Sequence, residues 1–378
     1  MIEKQESSRV VSLMLTWQCN LNCTYCFEEF KCANKEMPLE LAKKILQKEF
    51  ELFAEKQTEG KLKIEFFGGE PLLKFDVIKE VTEWLVDKDF PIEYELSVTT
   101  NGTLLTSEVR DWFKNYKDYI KIVLSVDGAN DIQYKNRGKK AMSPPIDFVR
   151  NLWPDIHFKS TVSRMALPTL SDDLIALLEQ GHFVAPSLAI GEDWHDGDEI
   201  IYKRELEKLA DWHLLHLDVE PMRIFLQHFI ALLEPHCLNV PQKNCGTGTS
   251  MVTYDVDGTA YPCHLFVPIT HGKEESIKEL NEIDFQKDSS FLDAACLECG
   301  MLRICKTCYG FNYKERGDVR KRDRRACRMQ LVEAQVISSF QINYLMLMKK
   351  RRELTPFELY ALKGALRCYE LYKDFKLE

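Results

Sequence analysis

The chain has 378 residues, 45% of them hydrophobic and 29% charged, with a formal net charge of −9. That is the balance of a globular protein with room for one large domain and a smaller one. The acidic charge excludes broad binding to nucleic acid, which needs a basic surface, and no apolar run is long enough to span a bilayer. Residues 1–10 lack the apolar core of a secretion signal, so a cytoplasmic location is expected.

Apolar runs rich in β-branched residues predict strands at 10–16, 62–67, 92–99, 121–126, 156–163 and 183–190. Between the first two lies a helix. Pro38 stands where a first-turn proline is tolerated, and Ala42, Ile45, Leu46, Phe50 and Phe53 form one apolar stripe. Strands alternating with helices imply a parallel sheet with right-handed crossovers. Six units are too few for a closed eight-stranded barrel, so the expected class is α/β, a partial (β/α)6 barrel over residues 1–200. Polar motifs follow the strands in turn: a cysteine loop, then Gly68-Gly69-Glu70-Pro71, Thr100-Asn101-Gly102 and Asp127-Gly128. In β/α barrels such loops, at the carboxyl ends of the strands, build the active site.

Residues 201–235 read as a helical connector, with Leu206, Leu209, Trp212, Leu215 and Leu217 among its apolar positions. A small cysteine-rich α+β domain is expected over 236–330. In it, 252–255 and 259–263 flank Asp257-Gly258 as a hairpin. Residues 331–378 form a C-terminal helical extension.

Thirteen cysteines in a cytosolic chain point away from disulfides. Their short spacings, with none between Cys32 and Cys237, point to metal sites. Cys19, Cys23 and Cys26 place three thiolates within eight residues, the kind of set that holds an iron–sulfur cluster. Three ligands on a four-iron cubane leave one iron open to a small chelating molecule. Zinc would want a fourth nearby Cys or His, for which only Cys32 is at hand.

The spacing of this triad, with Tyr25 just before the third cysteine, resembles the radical S-adenosylmethionine (SAM) superfamily. Gly68-Gly69-Glu70-Pro71 resembles that family's motif for the methionine amino group. The resemblance implies that the glycines allow close backbone approach and that Glu70 supports the ammonium. It places Ser125 and Asp127 against the ribose or methionine portion, Arg137 against the carboxylate, and Tyr25 near the adenine or the cluster. It also implies the chemistry: one electron from a reduced [4Fe-4S] cluster splits SAM into methionine and a 5′-deoxyadenosyl radical, which abstracts a hydrogen atom. The protein's part is to orient substrate and exclude competing reactions.

The later cysteines resemble the SPASM domain of peptide-modifying radical SAM enzymes, which carries two auxiliary [4Fe-4S] clusters. By that resemblance Cys296, Cys299, Cys305 and Cys327 hold an outer cluster. Cys245, Cys263 and Cys308 hold an inner one, with Cys237 as its fourth ligand; without Cys237 the inner cluster keeps an open iron. The last close pair is one residue tighter than usual, which bears on Cys308. Cys32 and Cys368 are left over.

The expected function is a radical SAM oxidoreductase that matures a peptide or protein by forming a cross-link or an oxidised side chain. The alternatives are an anaerobic sulfatase-maturing enzyme and a small-molecule dehydrogenase or epimerase. Sulfatase maturases carry an aspartate base immediately after an inner-cluster cysteine, where this chain has His264; His264 is the candidate catalytic base or a structural histidine. Expected partners are a peptide or protein substrate, an electron donor such as flavodoxin or ferredoxin, and a separate leader-peptide-binding protein, since the first strand starts about ten residues in. Neither nucleic acid nor membrane is expected as a partner. Two charged segments read mainly as solvated surface: Glu192-Asp193-Trp194-His195-Asp196, alternatively a contact for a basic substrate, and Lys321-Arg322-Asp323-Arg324-Arg325, alternatively a contact for an acidic peptide.

Overall fold

The computed structural model describes residues 8–55, 60–88, 90–129, 131–233, 243 and 245–376. In chain order it contains β1 (Arg9–Met14), α1 (Leu39–Glu55), β2 (Leu62–Phe67), α2 (Phe75–Lys88), β3 (Tyr94–Thr100), α3 (Ser107–Tyr116) and β4 (Ile120–Leu124). There follow α4 (Asp131–Arg137), α5 (Ile146–Leu152), β5 (Phe158–Val162), α6 (Leu170–Glu179), β6 (Val184–Leu188), α7 (Asp198–Leu215), β7 (Met251–Tyr254) and β8 (Ala260–Tyr261). Two long helices, Arg324–Arg351 and Pro356–Tyr372, end the chain. Among the described residues no helix is long and apolar enough to cross a membrane.

β1 to β4 pair in parallel and in sequence order, and β5 pairs with β6 in the same sense. A single bridge joins the two groups: Ser125 pairs with Lys159, and the Val126 N–H donates to the Lys159 carbonyl at 2.8 Å. The six strands therefore run side by side, as an α/β partial barrel requires. The helices bury the faces that their sequence pattern marks. On α1 the stripe Ala42, Ile45, Leu46, Phe50 and Phe53 is buried, and Glu49 lies buried with it.

Two features depart from expectation. The hairpin of the cysteine-rich region adds to the barrel sheet, because β7 pairs in parallel with β1 and gives the order β4-β3-β2-β1-β7-β8. Strand β1 would otherwise present unpaired backbone at an edge, and β7 satisfies it. The connector is helical only to Leu215, which is 81% exposed at the end of α7 and not part of an apolar face. Beyond it the chain forms 3-10 turns at Arg223–Leu226 and Ile230–Leu232.

Glu49 explains its own burial. Arg9 on β1 donates to it twice, at 2.6 and 3.0 Å, and the Tyr254 hydroxyl on β7 donates at 2.6 Å. Burial favours the neutral acid, but these donors outweigh it and hold the carboxyl below its ordinary value of 4.5. A depressed folded-state value stabilises the fold above the unfolded value and loses that contribution as pH falls. Glu49→Gln is expected to cost about 2 kcal/mol at neutral pH. In thermal melts the gap from the parent should narrow as pH drops below 4.5.

Candidate active site

The cysteine loop leaves β1 and is seated on the chain leaving β2. Gly68 has φ +146°, and a β-carbon there would lie 2.6 Å from the Thr16 carbonyl oxygen. At Gly69 the clash would be 2.3 Å from the Gln18 carbonyl oxygen. The Gly69 and Glu70 N–H groups donate to those two carbonyls at 2.9 and 2.8 Å. The close approach that the glycines permit is thus to the backbone just before Cys19.

Glu70 ties the second loop to the third. Its carboxylate accepts from Leu72 N at 3.1 Å, Thr100 Oγ1 at 2.6 Å and Asn101 N at 2.9 Å. Burial raises its carboxyl, against the pull of these donors. Asn101 in turn donates to Asn20 Oδ1 at 3.0 Å, inside the cysteine loop.

The fourth loop differs from expectation. Asp127 has no exposed side-chain surface, and its carboxylate accepts from protein donors on every side. They are Tyr25 Oη at 2.7 Å, Asn136 Nδ2 at 3.1 Å, Arg137 Nε and Nη2 at 2.9 and 2.8 Å, and Thr161 N at 3.1 Å. Five donors leave it no room to meet a ribose directly, so it acts by fixing Tyr25 and Arg137. Arg137 has its guanidinium forked on Asp127 and lies 5.5 Å from the Tyr25 ring centre.

These loops enclose a cavity of about 170 Å³, bordered by Cys19, Cys23, Cys26, Tyr25, Gly68, Gly69, Glu70, Ser125, Arg137 and His264. His264 reaches it from the cysteine-rich region, its ring 5.6 Å from that of Phe27 and 4.9 Å from that of Phe67. Burial, aided by the charge of Lys159, pushes its imidazole down to about 4. Lys159 on β5 and Glu28 also border the cavity, and the sequence reading missed both. Glu28 is 5% exposed, its Oε1 has no hydrogen-bond partner, and burial raises its carboxyl to about 8. Lys159 follows the alternation of β5 into the barrel, a signal available in the strand pattern; Glu28 sits in a loop and left none.

The C-terminal cysteines form two groups. Cys245, Cys263 and Cys308 lie within electrostatic reach of one another. Cys296, Cys299, Cys305 and Cys327 border a second, small cavity. Cys237 lies outside the described residues. Cys368 is buried in the last helix and Cys32 packs beside the core. Among the described residues no three His, Cys, Asp or Glu side chains converge as on a single ion.

Ion pairs join the acidic segment to the end of the basic one and to the helix that follows it. Arg325 meets Asp193 at 2.8 Å, and Arg328 contacts Asp196 and Glu199. These bonds strap the loop after β6 onto the helix that carries Cys327, so neither segment is simply solvated. Beside the strap lies a cavity of about 710 Å³, bordered by 185–192, Cys308 and Cys327. Ser187, Leu188 and Ile190 border this cavity and the triad cavity alike.

The strand ends of the parallel sheet thus carry a three-cysteine loop and a Gly-Gly-Glu-Pro turn around one cavity. Residues 14–179 match the Radical SAM superfamily, and the chain carries a domain of that superfamily. It is 22% identical over 348 residues to the radical SAM cyclopropyl synthase TigE of Paramaledivibacter caminithermalis, covering 86% of this chain and 73% of that one. It is 26% identical over 325 residues to the cysteine-type anaerobic sulfatase-maturating enzyme of Clostridium novyi, covering 76% of this chain and 84% of the relative. Among solved structures, anSMEcpe with bound AdoMet superposes with a TM-score of 0.64 at 18% identity, covering 94% and 98% of the two chains. Streptococcus suis SuiB bound to precursor peptide SuiA gives 0.57 at 17% identity, covering 84% and 75%. At these identities the structures establish a shared fold.

Gly69→Ala is expected to unseat the cysteine loop, since its new methyl meets backbone and not a side chain that could yield. Iron analysis after anaerobic reconstitution should show a loss of about four irons per chain.

Proposed function

We propose that the chain is a radical SAM maturase that removes a hydrogen atom from a residue of a peptide or protein and leaves a cross-link or an oxidised side chain. In this reading Cys19, Cys23 and Cys26 hold the SAM-binding [4Fe-4S] cluster. Glu70, Ser125 and Arg137 border the SAM itself, with Tyr25 and Asp127 bracing Arg137. Cys296, Cys299, Cys305 and Cys327 hold one auxiliary [4Fe-4S] cluster, and Cys245, Cys263 and Cys308, with Cys237, the other. When bound, SAM and the reduced cluster supply the hydrogen-abstracting radical. The surrounding residues keep the site dry: Phe27, Phe67 and His264 close its inner wall, and His264 is placed to exchange a proton with substrate.

The observation that carries a polypeptide substrate is the outer edge of β6. The Phe158 N–H donates to the Phe183 carbonyl and the Ala189 N–H to that of Val162, at 2.9 Å each. This register turns the odd-numbered residues toward β5 and turns Pro186, Leu188 and Ile190 away. Proline suits an edge because it has no N–H to leave unmade. Leu188 and Ile190 border the larger cavity, where an extended peptide could add as a strand. Both residues also border the triad cavity, so a peptide docked there would hold a side chain toward the radical. A flavodoxin- or ferredoxin-type electron donor and a separate leader-peptide-binding protein complete the proposed system. The likeness to the Clostridium novyi enzyme supports sulfatase maturation as the second reading.

The test is anaerobic turnover, with SAM and reductant, of a short peptide encoded beside the gene and of a peptide bearing a Cys or Ser sulfatase target. The first is expected to lose hydrogen, read by mass spectrometry. Deoxyadenosine formed with no mass change in either peptide would refute the proposal. Ile190→Pro should raise the KM for the modified peptide roughly tenfold, about 1.4 kcal/mol, with little change in kcat.

A further inference from the structure

Of the basic run at 321–325, Arg322 turns inward. It borders the small cavity walled by Cys296, Cys299, Cys305 and Cys327, and its Nη1 donates to Cys305 Sγ at 2.9 Å. Its Nε and Nη2 are buried and have no hydrogen-bond partner. The Tyr309 ring lies 5.8 Å from the guanidinium carbon. The Tyr309 hydroxyl is an electrostatic and hydrogen-bonding partner of the guanidinium, and Nε and Nη2 still have no acceptor. Arg320 forks onto Asp318, and Arg325 pairs with Asp323 and Asp193; Arg316 Nη1 and Arg328 Nε are also buried without a partner, but neither residue borders the thiol-walled cavity. The strongest electrostatic partners of Arg322 are the thiols of Cys305 and Cys296 and the Tyr309 phenol.

Buried donors without acceptors are uncommon and costly in a native fold. Here they border a cavity walled by thiols, so the missing acceptor belongs with the thiols. We infer that Arg322 is a positioning residue for the outer auxiliary cluster, a cationic donor to Cys305 and the cluster sulfurs that raises that cluster's reduction potential. The inference rests on the proposed ligation by Cys296, Cys299, Cys305 and Cys327. Its sign follows from charge. A thiolate-ligated cluster becomes more negative on reduction, so a nearby cation and hydrogen bonds to sulfur favour the reduced form.

The test uses full-length chain with Cys19, Cys23 and Cys26 replaced by alanine, so that only auxiliary clusters are assembled. Iron content and EPR-monitored redox titrations are compared for this background, Arg322→Lys and Arg322→Met. The background should hold about eight irons per chain, and both variants should retain them. In Arg322→Met one midpoint should fall by ~59 mV or more, a tenfold change for a one-electron couple. Arg322→Lys should fall between. Unchanged midpoints in both variants would overturn the inference. So would loss of one cluster from both, since Arg322 would then serve assembly and not potential. A background holding only about four irons, unaffected by Cys327→Ser, would instead overturn the ligation reading on which the inference stands.

Discussion

The whole site depends on one close backbone approach, that of Gly68 and Gly69 to Thr16 and Gln18. Two strand exits come together there with no side chain between them, and the loop bearing Cys19, Cys23 and Cys26 starts from that junction. Glu70 carries the constraint onward by bonding the third loop, and Asn101 returns it to the cysteine loop through Asn20. A chain of short polar contacts therefore fixes three strand ends with respect to one another. Asp127 does the same for the fourth by gathering Tyr25, Arg137 and the β5 backbone. Such bracing suits a site that must hold a reactive species in one geometry.

A second constraint joins the two halves of the molecule. β7 completes the sheet beside β1, and Glu49 locks that junction with Arg9 and Tyr254. On the far side, Asp193 and Asp196 pair with Arg325 and Arg328, drawing the loop after β6 against the helix of Cys327. Cys308 and Cys327 are thereby held along one wall of the larger cavity. His264, supplied by the segment just after β8, forms part of the wall of the triad cavity. The barrel and the cysteine-rich region thus build the reaction space together.

Much of this was legible in the sequence because it rests on local patterns. Each of the six barrel strands lies within a couple of residues of its apolar run, and the α1 stripe is buried as its 3.6-residue period requires. The order of motifs along the strand ends also carried over, since loop position follows from strand order. What stayed hidden depends on partners distant in sequence. The pairing of β7 with β1, the saturation of Asp127, and the ion pairs of Asp193 with Arg325 and Asp196 with Arg328 all join segments that no local period connects. Leu215 misled because an apolar position at the end of a helix looks the same in sequence as one on its buried face. Glu28 escaped notice because its burial is set by the cavity and not by any repeat.

The most direct measurement is deoxyadenosine production by anaerobically reconstituted protein, reduced in the presence of SAM, for the parent and for Cys23→Ala. The account predicts deoxyadenosine and methionine from the parent. It predicts none from the variant. An iron-replete parent that cleaves no SAM, or a Cys23→Ala variant that cleaves it equally well, would contradict the account.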